Sequence, residues 1–572
     1  AQNRKPKNVI VMIPDGTSSA LLSLSRWYQG YKNGDIKNIP PLAVDGIVCG
    51  MVRTHSSNAP IGDSAPAGSW YATGEASKAG YVGMYSPSDP ENDLVHIDET
   101  RAYQPLMTVL EASKLSGKKT GLVVTCHYPH ATPADFSSHW YRRSNYKLIA
   151  QQMAYNNIDL IFGGGSSYLT KEAARHLLSC GYDTVVNNIE KFRAIKENKN
   201  TKVWALFGEV DLPYDIDRNP GEVPSLSEMT KKAIDILSKN EKGFFLMVEG
   251  SKVDWAAHAN DPIGTITEFL AFDKAVGIAL NFAKKNGETV VVVLPDHNTG
   301  GITFGNKNSN SNYSKLSVSE IFDPLVNWKM TPGKAAGLLT SEFKPDIAAI
   351  EAKFNEINSK IKLTKPERDE FLSIHEKWGN DKKNFGDKIA DLVLRIAQSR
   401  NYIGFTTTGH TGEDVFLAVY DPSGRAPVGV IRSDDVNRYI CASLGLVNKK
   451  GETTLKDSTQ KYYASHDKVF LNCAVHLIKN DSLYKWNSES KSFKPVREKN
   501  KYDLLYADND KESEFADNAV IVIEKGENRL EIPSYTNIYF YNSVKNLMNT
   551  ISIYVDKNDR FYLPRQLFKL FK

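Results

Sequence analysis

Asn8-Val9-Ile10-Val11-Met12-Ile13-Pro14-Asp15-Gly16 carries the fold in miniature. Five apolar residues in unbroken succession read as a strand buried on both faces, and Pro14-Asp15-Gly16 ends it in a turn. Thr17 and Ser18 then stand where they can cap a helix running toward Trp27. The same grammar recurs along the chain. Lys118 to Cys126 is strand-like before the loop carrying His130 and Thr132, Phe244 to Val248 before Glu249, and Thr289 to Leu294 before Asp296-His297. Helical stretches fall between them, at Pro105 to Ser116, Ser227 to Lys239 and Ile263 to Lys285. The alternation predicts an α/β protein, a three-layer α/β/α sandwich around a mostly parallel sheet. Each run delivers a polar group on exit, where open α/β sheets keep their active sites, beyond the carboxyl ends of the strands.

Outward from these runs the organisation changes twice. Between His297 and His410 more than a hundred residues begin polar and rich in Asn and Ser, from Asn306 to Tyr313, and turn helical from about Ser341 to Arg400. Residues 303–403 are therefore expected to be an insertion that covers or flanks the site. A strand at Phe416 to Tyr420 and a helix near Asp434 to Leu444 close the catalytic part, taken as 1–447. From 448 to 572 short alternating segments such as Asn518 to Glu524 and Thr536 to Tyr541 predict a small β-rich accessory domain. Arg529-Leu530-Glu531-Ile532-Pro533 is echoed by Arg560-Phe561-Tyr562-Leu563-Pro564, as two copies of a small β unit would be.

Composition excludes several partners. A net charge of +4 over 572 residues, with no basic block, leaves no nucleic-acid footprint. No apolar run reaches the roughly 20 residues of a membrane helix. Five cysteines without C-x-x-C spacing argue against a thiolate zinc site and against a disulfide framework. The chain opens on Ala1-Gln2, as a signal-cleaved mature protein would and as a trimmed chain would; a periplasmic or secreted location is the expectation.

The chemistry lies in a few acidic and imidazole groups. Asp254 and His258 are four apart, so on a helix they share a face and can share one ion. A zinc held by those two and one more imidazole would keep an open position for substrate. Taken alone, the pair reads more readily as an ordinary surface contact than as a metal site. With Asp296-His297, His410 and Asp15 it reads as the ligand set of a two-metal hydrolase, for which Ser64 is a candidate nucleophile. His127, His139 and Cys126 read as structural residues, and Gly163-Gly164-Gly165 as a strand-ending turn, since no G-K-[ST] follows.

Val248-Glu249-Gly250-Ser251-Lys252-Val253-Asp254-Trp255-Ala256-Ala257-His258 resembles the metal-binding signature of the alkaline phosphatase family. Ile13-Pro14-Asp15-Gly16, Gly62-Asp63-Ser64-Ala65-Pro66-Ala67-Gly68-Ser69, His130-Ala131-Thr132-Pro133, Asp296-His297 and Thr408-Gly409-His410-Thr411-Gly412 follow that family's order. The resemblance spans roughly residues 8 to 445. It implies phosphate monoester hydrolysis through a phosphoserine at Ser64, with two zinc ions and one magnesium. Carried over, Asp254, His258 and His410 would hold one zinc and Asp15, Asp296 and His297 the other, with Ser64 between them. Asp15, Thr132 and Glu249 would face the magnesium, and Arg143, in preference to Arg142, would grip phosphate. His130 and Trp255 stand where the best-known bacterial pattern has Asp and Lys. Both would lie beside the substrate phosphate, and the change predicts weaker magnesium retention, a more alkaline optimum and looser phosphate product. Small phosphate monoesters are the implied substrates, and the family allows a homodimer. Relatives that hydrolyse diesters or sulfates are the competing reading, yet Gly68 stands where a sulfatase needs arginine. A second competitor makes the C-terminal segment a surface-binding module.

Overall fold

The computed structural model describes residues 5–480, 482–496 and 518–571; Ala1-Gln2 lies outside them. Ten strands form the central sheet. In chain order the strands of the body are β1 (Asn8–Pro14), β2 (Val48–Arg53), β3 (Lys119–His127), β4 (Leu160–Gly164), β5 (Asp183–Val186), β6 (Val203–Leu206), β7 (Phe244–Gly250) and β8 (Thr289–Val293). Four two-residue strands follow, β9 (Asn298–Thr299), β10 (Thr303–Phe304), β11 (Ile403–Gly404) and β12 (His410–Thr411), and then β13 (Val415–Tyr420) and β14 (Gly429–Arg432). The sheet order is β14-β2-β13-β8-β1-β7-β3-β4-β6-β5, with β13 alone running antiparallel to its neighbours. The parallel sandwich expected from the apolar runs is the fold observed.

Side chains alternate across β1. Val9, Val11 and Ile13 enter one apolar core, and Ile10 and Met12 enter the other. Both faces are covered, which is why these strands carry no polar alternation. Each such fully buried side chain contributes about 1.5–3 kcal/mol of transfer free energy. The core on the Val9 side continues into Tyr463, Ile553 and Phe561 of the C-terminal region, and the core on the Met12 side continues into Phe354, Phe371 and Ile389 of the insertion. Packing therefore crosses residue 447 without a break.

The insertion holds five α-helices, Val318–Val326, Pro332–Ser341, Ile347–Ile357, Lys365–Trp378 and Lys382–Ser399. Helix begins well before Ser341, where the sequence reading put it. Ser317 and Glu320 form a capping box on the first helix, and Thr331 caps the second with Pro332 behind it, signals that the polar composition of the segment obscured. At the neck β10 pairs antiparallel with β11, Thr303 against Gly404, so the excursion leaves and returns at one point.

The C-terminal region contains a seven-stranded antiparallel sheet and a separate three-stranded one. The two echoed pentapeptides fall in different sheets, Asn528–Pro533 in the larger and Arg560–Leu563 in the smaller, so they are not copies of one unit. The helix after Asp15 runs Ser19–Lys32; Ser18 occupies its N-cap without a side-chain hydrogen bond. Among the described residues no helix is long and apolar enough to cross a membrane. All five cysteines are free.

Candidate active site

Strand register assembles the site. Met12 of β1 pairs with Val248 of β7 and with Val293 of β8, so Asp15 and Asp296, each three residues on, leave the sheet at one level. Val124 of β3 pairs with Glu249, which adds that carboxylate and the loop after β3. Asp254 and His258 lie on the short helix Lys252–His258 that follows β7. His410 arrives from more than a hundred residues away because β12 pairs antiparallel with β9, His410 opposite Thr299. Gly16 has φ of +62°, and a Cβ there would stand 2.5 Å from Asp254 Oδ1, so the first loop admits only glycine without displacing that carboxylate.

Two donor sets meet around Ser64. Asp254, His258 and His410 form one, with His258 Nε2 3.3 Å from Asp254 Oδ2 and 3.1 Å from His410 Nε2. Asp15, Asp296 and His297 form the other, with His297 Nε2 3.4 Å from Asp15 Oδ1 and 3.3 Å from Asp296 Oδ2. Ser64 Oγ is 3.2 Å from His297 Nε2, and Ser64 opens the buried helix Ser64–Thr73. Each histidine is anchored through its other nitrogen. His258 Nδ1 lies 2.5 Å from the Thr408 carbonyl and His410 Nδ1 2.8 Å from that of Gly62, while His297 Nδ1 faces Thr299 Oγ1 at 3.2 Å. Those contacts fix the tautomers that leave Nε2 free to bind a cation.

A third set adjoins the second. His130, Glu249 and Cys126 bring donor atoms together, and Thr132 is buried beside them on the helix Ala131–Asp135. Asp15 Oδ1 and Oδ2, Asp296 Oδ2, Glu249 Oε1, Thr132 Oγ1 and His130 Nδ1 are buried and make no hydrogen bond. Buried carboxylate oxygens left bare are costly, and cations are the groups that satisfy several of them at once. Donor chemistry differs between them: the first two sets join imidazoles with carboxylates, while the third places the oxygens of Glu249 and Thr132 beside a nitrogen of His130 and the sulfur of Cys126. The clustered donors fit metal cations.

Electrostatics agree. Burial first, and then the carboxylates of Asp296, Asp254 and Glu249, push Asp15 well above the usual range. Glu249 is raised by burial and by Asp296. Burial also works against ionised Asp254, but the His258 hydrogen bond and His297 outweigh it and hold the carboxyl far below its ordinary value. His258 rises to about 9 chiefly through its hydrogen bond to Asp254. Burial, and then Arg143, keep His130 neutral. Packed acids that resist ionising without a counter-charge are a site prepared for cations.

Arg143 donates to Asp63 Oδ1 at 2.6 Å and lies 3.2 Å from His130 Nε2, while Arg142 is exposed. Trp255 stands edge-on to His130 with ring centres 5.8 Å apart. Ser64, Arg143, His130, Trp255 and the acidic and imidazole groups named from the sequence thus lie together.

A family model for alkaline phosphatase matches residues 6–446. The chain belongs to the alkaline phosphatase family. It is 35% identical over 442 residues to alkaline phosphatase 4 of Bacillus subtilis, across 75% of this chain and 87% of that protein. It is 32% identical over 457 residues to the repressible alkaline phosphatase of Saccharomyces cerevisiae, across 73% and 76%. A cold-active alkaline phosphatase from the psychrophile Shewanella sp. superposes with a TM-score of 0.65 at 28% identity, over 76% of this chain and 99% of that one. The chain is accordingly a phosphoric monoester hydrolase. The family match ends at residue 446, where the C-terminal region begins.

Asp63 stands in the Ser64 motif with no role assigned to it from the sequence, and Thr299 is not among the residues the sequence singles out. Asp63 holds Arg143, and Thr299 donates to Asp254 Oδ1 at 2.6 Å while touching His297. Asp63 sits inside a recognised motif, a signal that was available; Thr299, two residues past His297, had none. His139 is structural, as expected, bonded to Gly83, Glu111 and Tyr463. Gly164 ends β4 and Gly165 follows in a left-handed turn, again as expected.

Proposed function

We propose that this phosphatase works through a phosphoserine at Ser64, with two zinc ions and one magnesium ion. Asp254, His258 and His410 would hold one zinc, Asp15, Asp296 and His297 the other, and Asp15, Thr132 and Glu249 the magnesium. When bound, these cations lower the pKa of hydroxyl and water and offset the charge that develops on the ester oxygens. The observation that carries the reading is the position of Ser64 Oγ, 3.2 Å from His297 Nε2 and next to the Asp63 that holds Arg143.

From there the chain's own groups take defined parts. Ser64 loses its proton and attacks phosphorus; the bond to the ester oxygen breaks and the leaving oxygen takes up a proton. The N-terminus of the Ser64–Thr73 helix favours the negative charge gathered there. Arg143 spans two non-bridging oxygens with its planar fork, which Asp63 and His130 keep oriented. A diester would carry its second substituent into that fork, so a terminal phosphoryl group is preferred. Water then cleaves the Ser64–phosphate bond and the serine regains its proton. His130 and Trp255 flank the phosphate, with no cationic side chain at either position. In this reading residues 1–447 form the catalytic body with 303–403 as its insertion, and 448–572 form the accessory region.

The test uses matched aryl phosphate, diaryl phosphate and aryl sulfate, assayed after chelation and again after zinc and magnesium are restored. Restored monoester turnover, with phosphate trapped on Ser64 by acid quench, supports the reading. Turnover indifferent to chelation, or retained by Ser64→Ala, sinks it.

A further inference from the structure

Three consecutive side chains, His139, Trp140 and Tyr141, lean on the C-terminal region, and Arg143 comes two residues later. One side of this segment is tied to the loop at 80–83. Val82 and Trp140 exchange backbone hydrogen bonds of 2.8 and 2.9 Å, and Arg143 N donates to the Gly80 carbonyl at 2.7 Å. The approach is close: a Cβ on Gly83, at φ of +53°, would lie 2.1 Å from the Ser138 carbonyl oxygen.

The other side meets residues beyond 447. His139 Nε2 is 2.9 Å from Tyr463 Oη, and both are bonded to Glu111 in a network with no exposure to solvent. Trp140 stands edge-on to Tyr535, ring centres 5.6 Å apart, and Tyr535 is itself fixed by donating to the Tyr554 carbonyl. Tyr141 donates to Asp556 Oδ1 at 2.7 Å.

We propose that the C-terminal region is a positioning device for Arg143. It clamps His139–Tyr141 against the 80–83 loop through Tyr463, Tyr535 and Asp556. It thereby sets how tightly the enzyme holds a phosphate dianion and how strongly it prefers monoesters. The inference rests on Arg143 being the phosphate-gripping residue. Tyr535 and Asp556 are positioning residues, because they touch the segment and not the reacting atoms. Two routes fix the guanidinium: Asp63 and His130 hold its head, and the clamp holds its backbone. A fork must match two oxygens at once, so a small displacement of its base loosens its grip on a phosphate dianion.

The experiment is a double-mutant cycle in the full chain, pairing Tyr535→Leu/Asp556→Ala with Arg143→Ala. Inhibition by inorganic phosphate, and KM and kcat for an aryl monoester and an aryl diester, are read for all four proteins. In the native background the clamp variant is expected to weaken phosphate inhibition and raise the monoester KM by about 3- to 10-fold, the span of one or two lost contacts of this kind. Its kcat and its diester activity should move by less than about 2-fold, since uniform binding is what is removed. In the Arg143→Ala background the same variant should change nothing further, because coupled groups do not add. An equal penalty in both backgrounds, or no change in phosphate inhibition in the native one, overturns the clamp. Unchanged phosphate inhibition in Arg143→Ala alone instead overturns the reading of Arg143. Asp556→Asn, which keeps an acceptor for Tyr141, should restore most of the loss of Asp556→Ala. If the double variant does not fold, Tyr141→Phe carries the same cycle with a change of about 2-fold or more.

Discussion

Thr299 links the two imidazole-carboxylate donor sets, so Thr299→Val tests whether they are built as one unit. The side chain is buried, and valine has nearly its shape, which leaves the missing hydroxyl as the main difference. Thr299 donates its one hydroxyl proton to Asp254 Oδ1, so toward His297 Nδ1 at 3.2 Å it can only accept, which leaves Nε2, facing Ser64, Asp15 and Asp296, unprotonated for a cation. Removing the hydroxyl leaves the buried Asp254 oxygen without this donor and His297 Nδ1 with only its longer 3.4 Å contact to the Asn298 carbonyl. A hydrogen bond to a charged group contributes about 1.5–3 kcal/mol, a factor of roughly 10 to 150. Loss of an outer-shell partner typically costs about 10- to 100-fold in metal affinity, the same range. The assay titrates activity and bound zinc against buffered free zinc. The midpoint should move to higher free zinc by that factor, with the number of bound ions unchanged and kcat at saturating zinc within about 3-fold of the parent. A midpoint within 2-fold of the parent would refute the relay from His297 through Thr299 to Asp254.

Gly16→Ala should reduce activity at least about 100-fold, because its Cβ would press into Asp254 Oδ1 from a left-handed backbone; crystals showing Asp254 unmoved would contradict this. The chelated protein should lose thermal stability as pH rises from about 6.5 to 9. His258, raised to about 9, contributes stability that is complete below its unfolded value and lost through its folded one; raised Glu249 adds a loss of the same sign at lower pH, complete by about 7. The metal-loaded protein should gain on the chelated one across that interval, since binding expels those protons; melting curves that stay parallel would argue against the linkage. Tyr463→Phe should cost about 1–3 kcal/mol of stability by stripping a hydroxyl from buried Glu111 and His139, read by denaturant unfolding; a neutral result would mean that the network closes without it.

Much of the site was legible because its groups obey local rules. Asp15, Glu249 and Asp296 stand at or just past strand ends, and Asp254 and His258 share a helical face, so strand periodicity and helix geometry are enough to nominate them. Residues that act through others left no such mark. Thr299 looks like any loop threonine until β9 pairs with β12, and Asp63 shows its task only when Arg143, 80 residues away, folds against it. The early insertion helices were missed because capping by Ser317 and Thr331 is a two- or three-residue signal inside a polar stretch.

By itself the sequence determined the α/β class and brought forward the acidic and imidazole groups at the strand ends, since these depend on side-chain chemistry and on spacing along one chain; Ser64 was nominated by family resemblance. Tertiary structure alone decided the strand order, the arrival of His410 beside His258, and the continuity of the C-terminal region with the core behind Arg143. Those depend on pairings between segments a hundred or more residues apart. Such pairings are selected by the burial and hydrogen bonding of the whole sheet, so no local stretch of sequence encodes them.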